Sequence, residues 1–295
     1  MIASKSVLFL TGLLLICCST SENLPENDDD GDGFSEVLGD CDDTDPDRTF
    51  FCGIRVDPGS FEMGCSERQA DCSPDEAPAH NVELTQPFEM AETEVTQALF
   101  INLMGFNPSY FSACGPTCPA DYVSWNQAAE FMNRLSTVLG LEECYACADG
   151  ACSPKMSPLD CEGFRMPTEA EWEFAARCGT NTVLAGSDSP DEVAWTVSNS
   201  EWRTHPVGLL SPNACGFYDL SGNVWEWVWD IYDPDYYQYS PSVDPTGPET
   251  GEFHVYRGGG YANVPEDARV SDRCADCHPF DTVNAVGLRV ARTLP

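Results

Sequence analysis

The sequence predicts an α+β fold with little regular secondary structure, in one domain that spans residues 53–295. Three observations support this fold class. The 295-residue chain has 23 glycines and 22 prolines and no internal repeat. Its hydrophobic fraction of 42% is enough for a sizeable core. No long stretch shows helical or strand periodicity, so we expect short elements joined by loops.

The first elements expected in the domain are a strand and a helix. Residues 59–64 alternate between core-type and solvent-type side chains, as a half-buried strand does. A helix is expected over residues 94–104, and its apolar side chains Leu99, Leu103 and Met104 would face the core.

Two further helices are predicted from capping signals. Ser124 is followed three residues later by Gln127, and an apolar stripe at helical spacing comes next, which predicts a core helix. Thr168 and Glu171 repeat this arrangement. We expect the second helix to end at Cys178, which precedes a glycine.

The last element expected is a strand over residues 286–291, where the side chains again alternate. We expect this strand to lie near the strand at residues 59–64.

The N-terminus predicts export. Lys5 and the apolar run 7–16 have the composition of a secretory signal, and the run is too short to span a bilayer. The signal ends in Cys17-Cys18, which resembles a bacterial lipobox. Residues 1–18 are therefore predicted to be a signal peptide, with Cys18 lipidated and the protein tethered to the outer membrane or the periplasmic face of the envelope. The alternative is ordinary cleavage slightly downstream, which would remove both cysteines.

The cysteine count favours disulfides. Leaving out Cys17 and Cys18, the chain has an even number of cysteines, as is typical of an exported protein whose cysteines are paired. The candidates are Cys41, Cys52, Cys65, Cys72, Cys114, Cys118, Cys144, Cys147, Cys152, Cys161, Cys178, Cys215, Cys274 and Cys277. Expected pairs are Cys41–Cys52, Cys65–Cys72, Cys114–Cys118, Cys178–Cys215 and pairs within the 144/147/152/161 cluster. For Cys274–Cys277 a disulfide is the default, and a zinc site with Cys144 and Cys147 is a weaker alternative.

Charge limits the classes of partner. The formal net charge is −35, so nucleic acid and anionic membrane surfaces are not expected partners. Contact with a membrane is expected only through the lipid anchor. Divalent cations are the natural counter-charge.

The segment 19–52 is predicted to be an acidic linker, because it has too few apolar residues for its own core. Asp28, Asp30, Asp32 and Glu36 occupy ligand positions of an EF-hand-type calcium loop, but the twelfth position is Gly39, which has no carboxylate. The segment resembles the acidic repeats of thrombospondin type 3. It is therefore predicted to bind calcium weakly, and the alternative is a solvated spacer.

Three ordered blocks carry a resemblance to a known family. They are GFRMPTEAEWEFAAR at 163–177, NACGFYDLSGNVWEW at 213–227 and RGGGY at 257–261. These blocks, together with smaller pieces in order, resemble the formylglycine-generating enzyme (sulfatase-modifying factor) family across residues 53–293. The resemblance implies an α+β fold related to that of C-type lectins. Within the blocks, Arg165, Glu171, Trp225 and Arg257 are expected to have packing roles rather than catalytic ones.

The cysteine pair that performs the family's oxidation is missing. Members that oxidise sulfatase cysteines carry two cysteines, five residues apart, just after the third block, and this soft pair binds copper(I). The nearest positions here are Asn263 and Asp267 or Ala268. Copper is therefore not an expected cofactor, and no catalytic residue is assigned.

The resemblance also implies a calcium site in the second block. The matching positions are Asp219, Gly222, Val224 and Glu226, which would offer two carboxylates and two main-chain carbonyls. The alternative for Glu226 is a buried carboxylate paired with an arginine.

Together these features predict an envelope-tethered, disulfide-stapled binding or assembly module. Its partner would be a peptide, a protein or a glycan, and the aromatic segment 230–239 is a candidate contact loop. The alternative is an oxidoreductase of the formylglycine-generating type that acts on a protein cysteine or a small thiol.

Overall fold

The protein is a mixture of short helices and short strands joined by long loops. The computed structural model describes residues 51–295 except 67, 70, 71, 276 and 277. Within this part the helices are α1 Gln97–Met104, α2 Trp125–Val138, α3 Glu169–Arg177 and α4 Pro190–Val193. The strands are β1 Gly53–Val56, β2 Gly59–Met63, β3 His80–Leu84, β4 Phe88–Ala91, β5 Tyr145–Ala148, β6 Ala151–Pro154, β7 Trp225–Ile231, β8 His254–Arg257, β9 Arg273–Cys274, β10 Val286–Leu288 and β11 Ala291–Thr293. The predicted α+β class is confirmed.

The strands form small sheets. The largest has the order β10-β7-β8-β9, and a three-stranded sheet has the order β1-β4-β11. The hairpins β2-β3 and β5-β6 stand apart. Strand β7 lies inside the largest sheet, where it pairs in parallel with β10 and antiparallel with β8.

The two capped helices begin where the sequence predicts. The Ser124 side chain accepts a hydrogen bond from the main-chain N of Gln127, and α2 follows. Thr168 does the same with Glu171 at the start of α3. Helix α3 ends at Cys178, which adopts the left-handed conformation at φ 45°. Capping depends on neighbours in the chain, which is why these starts are readable from sequence.

Helix α1 is shorter than predicted. It begins at Gln97, and Thr96 caps it, whereas the prediction began at residue 94. Glu94 does not take part in the helix because its carboxylate accepts hydrogen bonds from Asn223 Nδ2 and Val224 N. Leu103, predicted to face the core, is only half-buried.

The predicted strand at residues 286–291 is two strands. Val286–Leu288 pairs with β7, and Ala291–Thr293 pairs with β4, in a different sheet. Strand β2, which we expected nearby, pairs with β3 instead. The two segments therefore do not pair with each other, because alternation of side chains shows which face is buried but not which strand is the neighbour.

The core consists of two main clusters that meet at β7. Trp227 belongs to the cluster that contains Trp125 and the apolar face of α2. Val228, the next residue, belongs to the cluster around Trp172 of α3. Successive side chains of a strand point to opposite faces, so β7 has core on both sides.

Disulfides join five pairs of described cysteines. They are Cys65–Cys72, Cys114–Cys118, Cys144–Cys161, Cys147–Cys152 and Cys178–Cys215. Three of these match the expected pairs, and the other two resolve the four-cysteine cluster. The zinc alternative is wrong, because Cys144 and Cys147 are bonded to other cysteines.

The remaining disulfide predictions stay open. Cys52 is disulfide-bonded, but its expected partner Cys41 lies outside the described residues. The same holds for Cys277, the expected partner of Cys274.

Candidate functional site

Several predicted sites lie outside the described residues. They are the lipidation position Cys18 and the linker candidates Asp28, Asp30, Asp32 and Glu36. Lipidation and calcium binding by the linker therefore stay predictions. Among the residues that the structure does describe, no helix is both long and apolar enough to cross a membrane.

Arg165 and Glu171 form a buried ion pair that organises the start of α3. Two guanidinium nitrogens of Arg165 donate to the two carboxylate oxygens of Glu171, at 2.7 and 2.8 Å. Glu171 Oε2 also accepts from the main-chain N of Thr168, the capping residue. Both carboxylate oxygens of Glu171 are thus hydrogen-bonded inside the protein, and the pair has the packing role that the sequence suggests.

Arg257, at the end of β8, ties the third sequence block to α3. Its guanidinium donates to the carboxylates of Glu169 and Glu173 and to the main-chain oxygens of Val270 and Ser271. Arg257 is 0% exposed. The arginine therefore fixes where the chain leaves the sheet to enter the glycine turn that follows.

Glu226, a predicted calcium ligand, is paired with an arginine. Arg289 donates to both of its carboxylate oxygens, with the shortest contact at 2.6 Å, and Trp172 Nε1 donates to Oε2 at 2.7 Å. Glu226 is 0% exposed. This is the alternative given for Glu226 in the sequence analysis, a buried carboxylate paired with an arginine.

Asp219 is the other predicted carboxylate ligand. Its Oδ2 accepts from the main-chain N of Gly208 at 2.7 Å, and burial raises the pKa of the carboxyl to about 6. No three His, Cys, Asp or Glu side chains are grouped as a metal site among the described residues. The predicted set also uses the carbonyls of Gly222 and Val224, so calcium here stays a prediction, and Glu226 would have to exchange its arginine for the ion.

A glycine turn at residues 258–260 follows β8. It leads into the stretch that contains the positions of the family's cysteine pair. Gly259 has φ 75°, and a Cβ there would come within 2.8 Å of the Cα of Ala268. Glycine is therefore required for residues 260–268 to fold closely against the end of β8.

Asn263 occupies the first of the two cysteine positions and is held on both sides. Its Oδ1 accepts from Trp225 Nε1 at 2.9 Å, and its Nδ2 donates to Asp267 Oδ2 at 3.0 Å. Ala268, at the second position, is buried and has only a methyl group. Copper(I) prefers thiolate ligands, and these side chains provide none.

Three exposed side chains lie in this stretch or on loops that contact it, and we call them the aromatic rim. We define the rim as Tyr110, Trp202 and Val264, which are 60%, 65% and 46% exposed. Tyr261 lies between them: its ring packs edge-on against Phe111 at a centroid distance of 5.1 Å, and Phe111 packs in the same way against Tyr110.

Trp202 is held outward by an unusual backbone. Glu201 and Trp202 both have left-handed φ values, 56° and 59°. The Ser200 hydroxyl accepts from Trp202 N at 3.1 Å and donates to the main-chain oxygen of Tyr261 at 2.7 Å. Left-handed conformations cost on the order of 1–3 kcal/mol for residues other than glycine and cluster at functional sites. The two left-handed residues therefore lower the free energy of unfolding, and the loop that contains them presents a large aromatic side chain to solvent.

Asp121 lies beneath the rim. Its carboxylate is 0% exposed, and Oδ1 accepts from the main-chain N of Tyr110. Oδ2 has no hydrogen-bond partner among the described residues. Burial raises the pKa of this carboxyl to about 6. Carboxyl groups whose pKa is shifted by burial cluster at functional sites.

Asp121→Asn is expected to change how stability depends on pH. The folded-state pKa of about 6 lies above the ordinary aspartate value of 3.8, so the wild-type free energy of unfolding falls as pH rises between these two values. The variant cannot ionise at this position, so its free energy of unfolding is higher than that of wild type by about 3 kcal/mol at pH 7 but is nearly the same at pH 4. Urea unfolding of both proteins at the two pH values measures the difference. A gain that is equal at pH 4 and pH 7 would contradict the assignment.

Sequence reasoning missed the rim and selected the loop at residues 230–239 instead. In segment 230–239, Asp230, Tyr236 and Tyr237 are buried, while Tyr239 is exposed. This loop therefore uses two of its aromatic side chains, Tyr236 and Tyr237, to cover the core. The left-handed pair at residues 201–202 is not visible in the sequence, which is why Trp202 was overlooked.

The comparisons with known proteins agree with this fold. Residues 43–294 match the sulfatase-modifying factor enzyme 1-like domain. The match begins ten residues before the predicted domain start at residue 53, and the predicted boundaries at 18 and 52 stay predictions.

Three similar proteins illustrate the range of roles. The chaperone protein LppX of Paenibacillus barcinonensis is 31% identical over 65% of this chain and 75% of its own length. The formylglycine-generating enzyme of Streptomyces coelicolor is 29% identical over 70% of this chain and 78% of its own. The solved structure of Treponema denticola variable protein 1 has a TM-score of 0.71 and 31% identity, and the alignment covers 82% of this chain and 95% of that one.

Proposed function

The chain belongs to the sulfatase-modifying factor enzyme 1-like family, and we propose that it is an exported, disulfide-stapled binding module that uses the aromatic rim to hold a polypeptide partner in the bacterial envelope without oxidising it. One observation carries this proposal. Where the family's oxidases have a copper-binding cysteine pair, this protein has Asn263, locked between Trp225 and Asp267, and the buried Ala268.

The surface around Asn263 supports binding. The rim side chains are exposed, and hydrogen bonds from the main-chain N of Tyr110 to Asp121 and from that of Trp202 to Ser200 fix the backbone of two of their loops. Aromatic side chains that are exposed and rigid bury much area at little entropic cost when a partner binds.

A polypeptide partner fits the similar proteins best. LppX, 31% identical, is named as a chaperone protein, and a chaperone acts on polypeptides. The disulfides and this similarity support an exported protein. Lipidation at Cys18 would then keep the module at a membrane, and we propose this anchor as part of the function.

We also propose that calcium stabilises the protein through the linker carboxylates at residues 28–36. The net charge of −35 makes a divalent cation a favourable counter-ion. Melting curves with and without 1 mM calcium, about the weakest affinity expected of extracellular sites, test this. The same melting curves of Asp219→Asn test the predicted site inside the domain, because this variant lacks one of its two carboxylates.

The oxidase alternative is tested by an aldehyde assay. The full-length protein, purified with its disulfides formed, is incubated with copper(I), oxygen and a Cys-x-Pro-x-Arg peptide, and the products are read by mass spectrometry. We expect no aldehyde above background, because Asn263 and Ala268, at the positions of the family's cysteine pair, have no thiol. The Streptomyces coelicolor enzyme serves as the positive control, and aldehyde in the test reaction would support the oxidoreductase instead.

Cross-linking in cells tests the binding proposal. A photoreactive benzoylphenylalanine at position 110 should cross-link an envelope protein, and Trp202→Ala in the same protein should reduce that cross-link at least tenfold. The control places the same group at position 209, where Leu209 is equally exposed but lies outside the rim. Equal cross-linking from both positions would sink the proposal.

A further inference from the structure

The outer edge of β1 is open. This strand lies at one end of the three-stranded sheet, and among the described residues no strand pairs with its other side. Where the strand begins, Glu92 N donates to Cys52 O at 3.0 Å. Hydrogen-bonded positions of an antiparallel pair alternate with positions whose main-chain groups point away from the partner. The main-chain N–H and C=O groups of Gly53 and Arg55 therefore point away from β4, toward the open edge.

A groove of 340 Å³ lies along this edge, and we call it the β1 groove. Its lining includes all four residues 54–57. Successive side chains of a strand point to opposite faces, so a cavity that touches four successive residues lies beside the edge of the strand rather than over one face. The opposite wall is formed by the end of α3 and by part of the second sequence block, with the residues Phe174, Ala175, Cys178, Gly179, Cys215 and Phe217.

This opposite wall is apolar and already formed. Ala175 and Phe217 are buried, and the half-buried Phe174 packs against Phe61 with the ring centroids 5.2 Å apart. The disulfide Cys178–Cys215 joins the two parts of the wall. A site that is formed before its ligand arrives loses little conformational entropy on binding.

The charges around the groove disfavour an acidic ligand. Its charged lining residues are Arg55 and Asp57, which pair with each other at 2.9 Å. Every lysine and arginine in the part of the chain that the structure describes is likewise paired with a carboxylate. The net charge of the chain is −35. An acidic ligand would therefore meet no unpaired cation on the described surface, and the field of the protein would repel it.

An extended polypeptide matches both the edge and the groove. A strand presents an N–H and a C=O group toward its neighbour at every second residue, which is the spacing of Gly53 and Arg55. The side chains on one face of such a strand would enter the groove, and those on the other face would remain in solvent. Addition of a strand to an exposed sheet edge is a recurring mode of peptide recognition. A small apolar molecule or an acyl chain would fill the groove without using the main-chain groups of the edge.

We propose that the open edge of β1 and the β1 groove bind an extended segment of another protein by strand addition. The bound segment has aliphatic side chains on the face toward the groove and no net negative charge. None of the lining residues belongs to the aromatic rim, so this second site goes beyond the proposed function and does not depend on it.

Peptide titration of the full-length, disulfide-bonded protein tests the proposal. The probe is fluorescently labelled acetyl-Lys-Val-Thr-Val-Lys-amide, and its anisotropy is followed up to about 1 mM protein. One control peptide carries N-methyl groups on its three central residues, which removes main-chain donors and keeps the side chains. A second control replaces both lysines by glutamate. We expect the probe to bind and each control to bind at least tenfold more weakly. Absence of binding by the probe, or equal binding by either control, would overturn the proposal.

Two variants of one residue locate the site. Arg55→Pro removes the outward N–H without breaking a hydrogen bond to β4, and proline is tolerated at such positions of edge strands. Arg55→Ala keeps this N–H and removes the side chain that pairs with Asp57. Binding of the probe should fall at least tenfold in the proline variant and change less than twofold in the alanine variant. Binding like wild type by an Arg55→Pro protein with an unchanged melting temperature, or equal losses in both variants, would show that the edge is not the site.

Hydrogen exchange distinguishes a partner from other occupants of the edge. The amides of Gly53 and Arg55 should exchange rapidly in the free protein and at least tenfold more slowly with the probe bound, because exchange requires that the N–H be free. Slow exchange in the free full-length protein at every concentration would mean that another segment of this chain covers the edge. Slow exchange only at high protein concentration would mean that a second copy does. Either result would overturn the proposal.

Discussion

Arg257→Met is expected to lower the free energy of unfolding by about 3–5 kcal/mol, which is the usual cost of removing one partner from a buried ion pair. Arg257 is 0% exposed and donates to Glu169 and Glu173, which are also buried. Burial opposes ionisation of Glu169, but Arg273 and Arg257 lower the pKa of its carboxyl overall. Without Arg257, both carboxylates lose compensating charge, and two main-chain oxygens lose their donor.

Two matched variants make this prediction specific. Arg134→Met breaks an exposed pair with Glu130 and should cost at most about 1 kcal/mol. Arg257→Lys keeps the positive charge but cannot reach two carboxylates and two carbonyls at once, so its loss should be intermediate. Urea unfolding measures all three variants at pH 7. A loss for Arg257→Met no larger than that for Arg134→Met would show that the network does not hold the third sequence block to α3.

The parts of the fold that depend on neighbouring residues could be predicted. Ser124 with Gln127 and Thr168 with Glu171 are local capping pairs, and both helices begin where these pairs place them. The pairing of strands could not be predicted, because it depends on distant residues. Ala291 of the last strand lies opposite Met90 of β4 and also exchanges main-chain hydrogen bonds with Arg165 at 2.8 Å, and nothing in the local alternation indicates these contacts.

The same division applies to the candidate site. The missing cysteine pair could be read from Asn263 and Ala268 as soon as the third block was recognised. The rim could not, because Tyr110, Trp202 and Val264 come from three separate loops that meet only in the folded chain. The free oxygen of Asp121 is likewise a property of its three-dimensional surroundings.

The double variant Cys178→Ser with Cys215→Ser is expected to lose about 4 kcal/mol, because the disulfide closes a long loop in the unfolded chain. The two cysteines are 37 residues apart in sequence, and they connect the end of α3 to the second sequence block. Without the bond, the unfolded ensemble gains the freedom of that loop. The folded contacts stay largely the same, so the effect appears as a lower midpoint of urea unfolding.

The short disulfide Cys147–Cys152 is the matched control for this effect. Its cysteines are 5 residues apart, so the same model of loop entropy gives a loss of about 2 kcal/mol for Cys147→Ser with Cys152→Ser. The order of the two losses is the test, because it does not depend on the absolute scale. An equal or reversed order would mean that strain or residual structure in the unfolded chain, rather than loop length, sets what each disulfide contributes. If the order holds, the disulfide between Cys178 and Cys215 is the one that keeps two of the family's blocks together outside the reducing interior of the cell.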